Sequence, residues 1–563
     1  MKKYFVTSAL PYANGDLHLG HLVEYIQTDI WVRFNRLIGN EVVYICADDA
    51  HGTPIMLKAE SEKISPEELI EKTLDRHKND FDCFFIKFDN FYTTHSKENE
   101  QLSTSIYMKL VNENLIEKKT IHQFFDHEKL MFLPDRYITG SCPKCKSNDQ
   151  YGDSCDKCGA TYSPTDLLNP ESVLSGKTPI KKKTDHFFFK LSDKKCTKFL
   201  NKWIYEDNRL QEEARNKIKE WLSTDINNSS LIDWDISRDA PYFGFKIPDQ
   251  TDKYFYVWLD APIGYYASLM NWCSLSGKKF DDFVSLDSEY EQIHFIGKDI
   301  LYFHALFWPA ILHFAGYRTP TSIFAHGFLT VNGKKMSKSK GTFITAQQFL
   351  KCDINPDYLR YYFACKLNGS MEDIDLNISE FCQKVNSDLV GKFINIQSRC
   401  SKFLLEHFEG HVLPKETIME INSQGLAIES TIKAKSDEIK ALYLTRNTAQ
   451  AIRDIMLLVD QVNQYFQEKK PWEMIKSSTV ETAAGKKYLH SVLSIAIRSF
   501  GALTILLKPV IPDTCKKIER DVFCDLEPLT WNDLESIQIK KIKKADHLLV
   551  RIKHENVSAL MGE

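Results

Sequence analysis

Residues 4 to 12, Tyr-Phe-Val-Thr-Ser-Ala-Leu-Pro-Tyr, read as a strand, and Ala13-Asn14-Gly15-Asp16 reads as a turn. Leu22, Tyr25, Ile26, Ile30, Phe34 and Leu37 then recur at helical spacing, and Glu41 to Ala47 form a second strand that ends in Asp48-Asp49-Ala50-His51-Gly52. A strand-helix-strand unit predicts the start of a parallel α/β sheet with ligands at the carboxyl ends of its strands. From about 116 to 225 the pattern changes to paired cysteines followed by the basic-aromatic stretch Ile180 to Lys190. Strand-like segments return at Tyr254 to Leu259, His294 to Gly297 and Ser322 to His326, so the sheet is expected to be split in sequence by an insertion. Beyond about 380 long amphipathic helices dominate; Ile452, Ile455, Met456, Val459 and Phe466 keep to one helical face, and Ala545 to Ala559 read as a final helix.

Composition narrows the class without changing this picture. The 563 residues are 43% hydrophobic and 26% charged, the profile of a globular, multi-domain chain. No uninterrupted apolar run approaches a membrane span; Ala502 to Ile511 is broken by Lys508 and Pro509. The first residues lack a signal-peptide cleavage site, which predicts a cytoplasmic protein with no membrane partner. Of the 14 cysteines, ten stand singly among apolar neighbours and are expected to be reduced, mostly buried thiols. With 72 Lys+Arg against 76 Asp+Glu, formal net charge −4, any RNA contact must use local patches.

Two segments suggest phosphate chemistry. His18-Leu19-Gly20-His21 stands where a strand-end loop enters a helix. Gly20 permits close backbone approach, the helix N-terminus favours phosphate oxygens, and two imidazoles can donate to a phosphoryl group gaining charge. Lys335-Met336-Ser337-Lys338-Ser339 follows a tight Asn332-Gly333 turn, and its lysines can track charge onto a departing pyrophosphate. Alone, the first favours phosphate over an incidental helix cap, whereas the second reads as a solvated basic loop. A Walker A loop fails on spacing, with five residues between Gly327 and Gly333.

Cys142-Pro143-Lys144-Cys145 and Cys155-Asp156-Lys157-Cys158 are two C-x-x-C knuckles nine residues apart. Four thiolates at this spacing suit one structural, tetrahedral zinc; a redox dithiol explains one knuckle but poorly explains two.

Together the first two segments resemble the HIGH and KMSKS signatures of class I aminoacyl-tRNA synthetases. Ala9 to Gly15, Cys46 to Pro54, Trp234 to Gly244, Tyr256 to Gly264 and Phe295 to His304 resemble the methionyl family of that class along nearly the whole chain. The resemblance implies an α/β fold: a split Rossmann-like parallel-sheet catalytic domain with a zinc-knuckle insertion, followed by an all-α anticodon-binding helix bundle. The expected boundaries are 1–115 and 226–325 for the two catalytic halves, 116–225 for the insertion, 326–380 for the KMSKS loop and stem-contact region, 381–535 for the anticodon domain and 536–563 for a tail helix. It implies ATP-dependent formation of methionyl-adenylate and transfer of methionine to the terminal adenosine of tRNA, with Mg²⁺ accompanying ATP.

By motif position, His18, His21, Lys335 and Lys338 would be catalytic and would bind ATP with Asn14 and Gly20. Methionine would be held by Leu10, Tyr12, Asp49, Trp258, Ala261, Pro262, Ile300, Phe303 and His304, with Asp49 on the ammonium and Arg238 nearby. Aromatic and apolar walls suit a polarizable thioether. Asn395, Arg399 and Trp472 would read the anticodon; Lys540 to Lys544 reads as a solvated cluster or an RNA backbone contact. The insertion, about 110 residues, is shorter than the editing domains of the leucine, isoleucine and valine enzymes. Ending at Glu563, the chain is expected to be a monomer. The alternatives are a cysteinyl synthetase, a nucleotidyltransferase with an H-x-G-H, and a non-catalytic RNA-binding derivative.

Overall fold

The computed structural model describes residues 1–134, 137–152, 155, 157–158, 160, 162–223, 230–336, 342–477, 482–524 and 527–561. Five parallel strands form the central sheet: β1 (Lys3–Ser8), β2 (Glu41–Asp48), β3 (Asn90–Thr93), β4 (Glu291–Gly297) and β5 (Ser322–His326), in the order β5-β4-β1-β2-β3. Val6 of β1 lies between Tyr44 and Ile293 in the ladder. The strand order reverses between β1 and β4, the switch point at which such sheets open a crevice at their carboxyl ends. β1 stops at Ser8, short of the expected Tyr12. Pro11 has no N–H for the ladder, and beyond Ser8 the pairing survives as the Ala9 N–H on the Phe295 carbonyl (3.1 Å) and an isolated Tyr12–Asp49 bridge.

Helix α1 (Leu19–Leu37) buries Leu22, Tyr25, Ile26, Ile30 and Phe34. Helices α2 (Thr53–Glu62) and α3 (Pro66–Cys83) follow β2. Between β3 and β4, Ile116–Asp126 pairs antiparallel with Ile180–Phe189, and Met131–Phe132 and Trp234–Asp235 complete a four-stranded sheet. The cysteine-bearing segment forms a three-stranded sheet of Ile138–Ser141, Gln150–Tyr151 and Leu168–Ser172 beside a small apolar cluster that includes Phe124, Tyr137 and Leu167.

The strand expected over Tyr254 to Leu259 is corrected. Only Lys253–Phe255 pairs, with Ser237–Asp239, and helix α4 (Val257–Ser276) starts two residues later. Every residue from Leu259 to Leu269 is buried, so the helix lacks the polar face that would betray its period.

After β5, Leu329–Val331 and Lys334–Lys335 form a hairpin; Asn332 (φ 48°) and Gly333 (φ 73°) are both left-handed, as a type I′ turn requires. Then come α5 (Ala346–Lys351), α6 (Pro356–Lys366), α7 (Ile394–Phe408), α8 (Thr448–Lys469) and α9 (Ala483–Leu507). Among the described residues α9 alone is long and apolar enough to cross a membrane, and 94% of its most apolar window is buried inside the protein: it is the core of the bundle. The final helix is confined to His554–Met561. The preceding stretch, expected to be helical, is held extended by tertiary bonds: the Val550 N–H and carbonyl both meet Tyr358 Oη, and Asn386 brackets Ile552. One continuous apolar core links β1 and α1 to α6 and α9.

Candidate active site

His18 is the extended N-cap of α1, and His21 is the third residue of the helix. The His21 N–H donates to His18 Nδ1 and the His18 N–H donates to His21 Nδ1, each at 3.3 Å. This is a capping box made of two imidazoles, stacked 3.6 Å apart at 18°. A ring nitrogen that accepts a hydrogen bond carries no proton, so each ring holds its proton on Nε2. Burial, with His18 and His77 nearby, holds His21 well below the ordinary imidazole range. The result is a pair of imidazole N–H donors at the N-terminus of a helix, a site suited to an anion.

The second signature segment meets the first. Thr342 Oγ1 donates to the Lys335 carbonyl (2.9 Å), drawing together the two ends of the loop. A Cβ on Gly20 would lie 2.5 Å from Met336 Cε, so glycine there lets the loop approach the helix. Phe343 stands edge-on to His18 at 5.0 Å. Thr345 pairs with His18, the Leu19 N–H donates to the Ile344 carbonyl (3.0 Å), and the Ala346 N–H donates to the Leu17 carbonyl (2.8 Å). Lys335 is exposed; Lys338 lies outside the described residues.

Past the carboxyl ends of β1 and β2 lies a cavity of about 320 Å³ whose lining includes Leu10, Tyr12, Asp49, Arg238, Tyr256 and Trp258. Asp49 Oδ1 is buried there without a hydrogen-bond partner. Burial, then the charge of Asp260, pushes the Asp49 carboxyl well above its usual range. Tyr12 Oη donates to the His51 carbonyl at 2.7 Å. The Arg238 guanidinium lies 3.6 Å over the Tyr256 ring and pairs with Asp235 at 3.4 Å. Trp258 stacks on Phe303 at 3.9 Å and 8°, with Trp234 edge-on to Phe303 at 4.8 Å.

His304 Nδ1 donates to the Ile300 carbonyl (3.1 Å), so its Nε2 accepts from Tyr265 Oη (2.8 Å); burial lowers its pKa to about 4. Ala261 and Pro262 are buried in α4. Ala261, Pro262, Ile300, Phe303 and His304 are outside the cavity lining; Phe303 joins it through its stack on Trp258. Asn14 lies in an adjoining cleft of about 670 Å³ that shares Tyr12 and Pro54 with the cavity. Tyr242 was not singled out in the sequence. Its Oη accepts the Val257 N–H at 3.1 Å, at the start of α4, and it too lines the cavity. Its place three residues after Asp239 was the available signal.

The four knuckle sulfurs gather within 4.8 Å of one another, a set that can hold a metal ion. Cys142–Cys158 and Cys145–Cys155 are 3.8 and 3.5 Å apart, and the Cys145 and Cys158 N–H groups donate to the Cys142 and Cys155 sulfurs at 3.4 Å each. In the helical half, Asn395 precedes Arg399 by one turn of α7. The Arg399 guanidinium stands 5.1 Å from the Trp472 ring and 4.9 Å from the Phe466 ring. Lys470, left-handed at φ 45°, ends α8 before Pro471–Lys476.

A parallel sheet whose switch point carries a paired-imidazole helix cap, met by a lysine-bearing hairpin, is the arrangement of a class of tRNA synthetases. A family model described as tRNA synthetases class I (M) matches residues 4–401, and the chain belongs to that family. It is 52% identical to the Methionine--tRNA ligases of Cupriavidus necator and Neisseria gonorrhoeae, over 563 and 567 residues, covering all of this chain and 80% of each relative. Its fold is similar to that of Mycobacterium tuberculosis methionyl-tRNA synthetase in complex with methionyl-adenylate: TM-score 0.76 at 24% identity, covering 97% of this chain and 99% of that one. The free-state structure of the same Mycobacterium enzyme gives TM-score 0.72 at 21% identity, covering 98% and 99%.

Proposed function

We propose that the chain is a methionine–tRNA ligase of the cytoplasm. It joins L-methionine to ATP as methionyl-adenylate with release of pyrophosphate, then passes the methionyl group to the 3′-terminal adenosine of tRNA(Met). The observation that carries this reading is the meeting of the His18–His21 cap with the base of the Lys335 hairpin, on a sheet whose strand ends also open a cavity with an unpartnered buried carboxylate oxygen.

The ammonium of methionine pairs with Asp49, whose orphan oxygen requires a donor. Leu10, Tyr12 and Trp258 enclose the thioether, and the residues behind them (Ala261, Pro262, Ile300, Phe303, His304) fix their placement. A methionine carboxylate oxygen attacks the α-phosphorus and the bond to pyrophosphate breaks. The two Nε2–H donors of His18 and His21 stabilise the charge that builds on the α-phosphoryl oxygens, while Asn14 and Gly20 line the nucleotide side. Because Nδ1 of each ring is committed to the backbone, both imidazoles act as donors rather than as proton carriers. Lys335 and Lys338 follow the charge onto pyrophosphate, whose Mg²⁺ arrives with ATP.

The knuckle holds one structural zinc: a Zn–S bond of about 2.3 Å gives a tetrahedral edge of about 3.8 Å, close to the 3.5 and 3.8 Å sulfur separations. Asn395, Arg399 and Trp472 offer polar groups beside an aromatic platform for unstacked anticodon bases. Exchange of labelled pyrophosphate into ATP, measured with each of the twenty amino acids, tests the reading. Exchange driven by methionine supports it; exchange driven best by cysteine, or none, overturns it.

A further inference from the structure

One face of α3 touches the turn that leads into the first signature segment and the helix that follows the second. Arg76 Nη1 lies 3.2 Å from Asp16 Oδ1. His77, 1% exposed, places Nδ1 2.7 Å from Asp48 Oδ1 and Nε2 2.8 Å from the Gly15 carbonyl. Three residues on, Asp80 Oδ1 accepts from Gln347 Nε2 of α5, the helix that directly follows the lysine loop. Just past α3, Phe84 meets Phe349 of α5 at 5.6 Å between ring centres.

The chemistry at His77 leaves little freedom. A carbonyl oxygen only accepts, so Nε2 carries a proton. A carboxylate facing Nδ1 requires a second proton between them, since a bare ring nitrogen would set its lone pair against the carboxylate. Burial works against charge on His77, but Asp48, the Gly15 carbonyl and the field of Asp80 outweigh it, and the imidazole is held above its ordinary range. The Asp48 oxygen not bonded to His77 has no partner, so this hydrogen bond is the main compensation for a buried carboxylate. His77 thus anchors the carbonyl of the turn that carries Asn14 and leads into His18, and its charge is felt at His21.

We infer that α3 is a brace that sets the separation of the two phosphate-handling segments, with His77 its positioning residue on the Gly15 turn and Asp80 its positioning residue on α5. The inference rests on the adenylation reading above and adds to it two residues that need not touch substrate.

The test is methionine-dependent pyrophosphate exchange with KM measured separately for ATP and methionine. His77→Asn retains a donor near the Nδ1 position and removes the one to Gly15; His77→Gln retains a donor near Nε2. We expect His77→Asn to raise the KM for ATP or lower kcat about tenfold, the worth of one hydrogen bond, with the KM for methionine within about twofold, and His77→Gln to recover most of the loss. Gln347→Glu, at a half-buried position, sets a like charge against Asp80 and is expected to move the ATP parameters in the same direction. Equal effects of His77→Asn and His77→Gln, ATP and methionine KM values that rise together, or a silent Gln347→Glu overturn the brace. Wild-type protein that shows no methionine-dependent exchange overturns the adenylation reading itself, a result visible before any variant is made.

Discussion

Asp49 shows how one buried side chain couples substrate binding to pH. Its ionisation is opposed by burial and by Asp260, which hold the carboxyl well above the ordinary range. An ammonium supplies the missing counter-charge. Methionine should therefore bind more tightly as pH rises through the raised Asp49 range. Over the same window the free protein should lose stability, because the native state holds a proton that the unfolded chain has released. Asp49→Asn is expected to weaken methionine by about 3 kcal/mol, roughly a hundredfold, and to flatten the pH dependence in titration calorimetry. His304 has the opposite sign. Its pKa of about 4 keeps it neutral in the fold, while the unfolded histidine takes a proton near 6.5. Its contribution is fully present above about pH 6.5 and falls by about 3 kcal/mol as pH drops to 4. Urea unfolding across that range should show the slope, and His304→Gln should remove it.

Among the elements, the cysteine knuckle rests on a small apolar cluster of its own, six buried residues that include Phe124, Tyr137 and Leu167. Metal chelation, or Cys142→Ser, should leave residues 138–172 unprotected in hydrogen exchange while β1, β2 and β4 keep their protection. Loss of protection in the central sheet would contradict that independence. The knuckle was readable because metal ligation leaves a fixed spacing of cysteines. The α1 face was readable because polar residues such as Glu24, Gln27, Asp29 and Arg33 alternate with its apolar ones, although Leu22 to Val32 are all buried. α4 was not: buried all round, it shows no period, and the aromatic run Tyr254 to Trp258 mimics a strand. The stretch before His554 failed for another reason: Tyr358 and Asn386, over 160 residues earlier, hold its backbone extended, and no local pattern encodes such partners. In the site, the two signature segments could be read as short strings. The Asp48–His77–Gly15 link could not, because it joins three separate elements through side chains that each look ordinary in sequence.

In the whole molecule, Arg360 on α6 is the clearest tie between the catalytic and helical halves. Fully buried, it pairs with Asp29 of α1 at 2.7 Å and donates to the carbonyls of Phe84, Pro509 and Val510. Arg360→Ala leaves Asp29 with Arg33 as its remaining ionic partner and orphans three carbonyls. It should cost about 3–5 kcal/mol and lower the calorimetric melting temperature by several degrees; an unchanged melting temperature would contradict the role. That tie holds α1, and with it the imidazole cap, against α6, the second helix after the lysine loop. The most direct test is a crystal structure with methionine and a non-hydrolysable ATP analogue. It should show the phosphates between the Nε2 atoms of His18 and His21 and the Lys335 side, with the methionine ammonium on Asp49 and its thioether beside Trp258. A triphosphate bound away from both signature segments would contradict it.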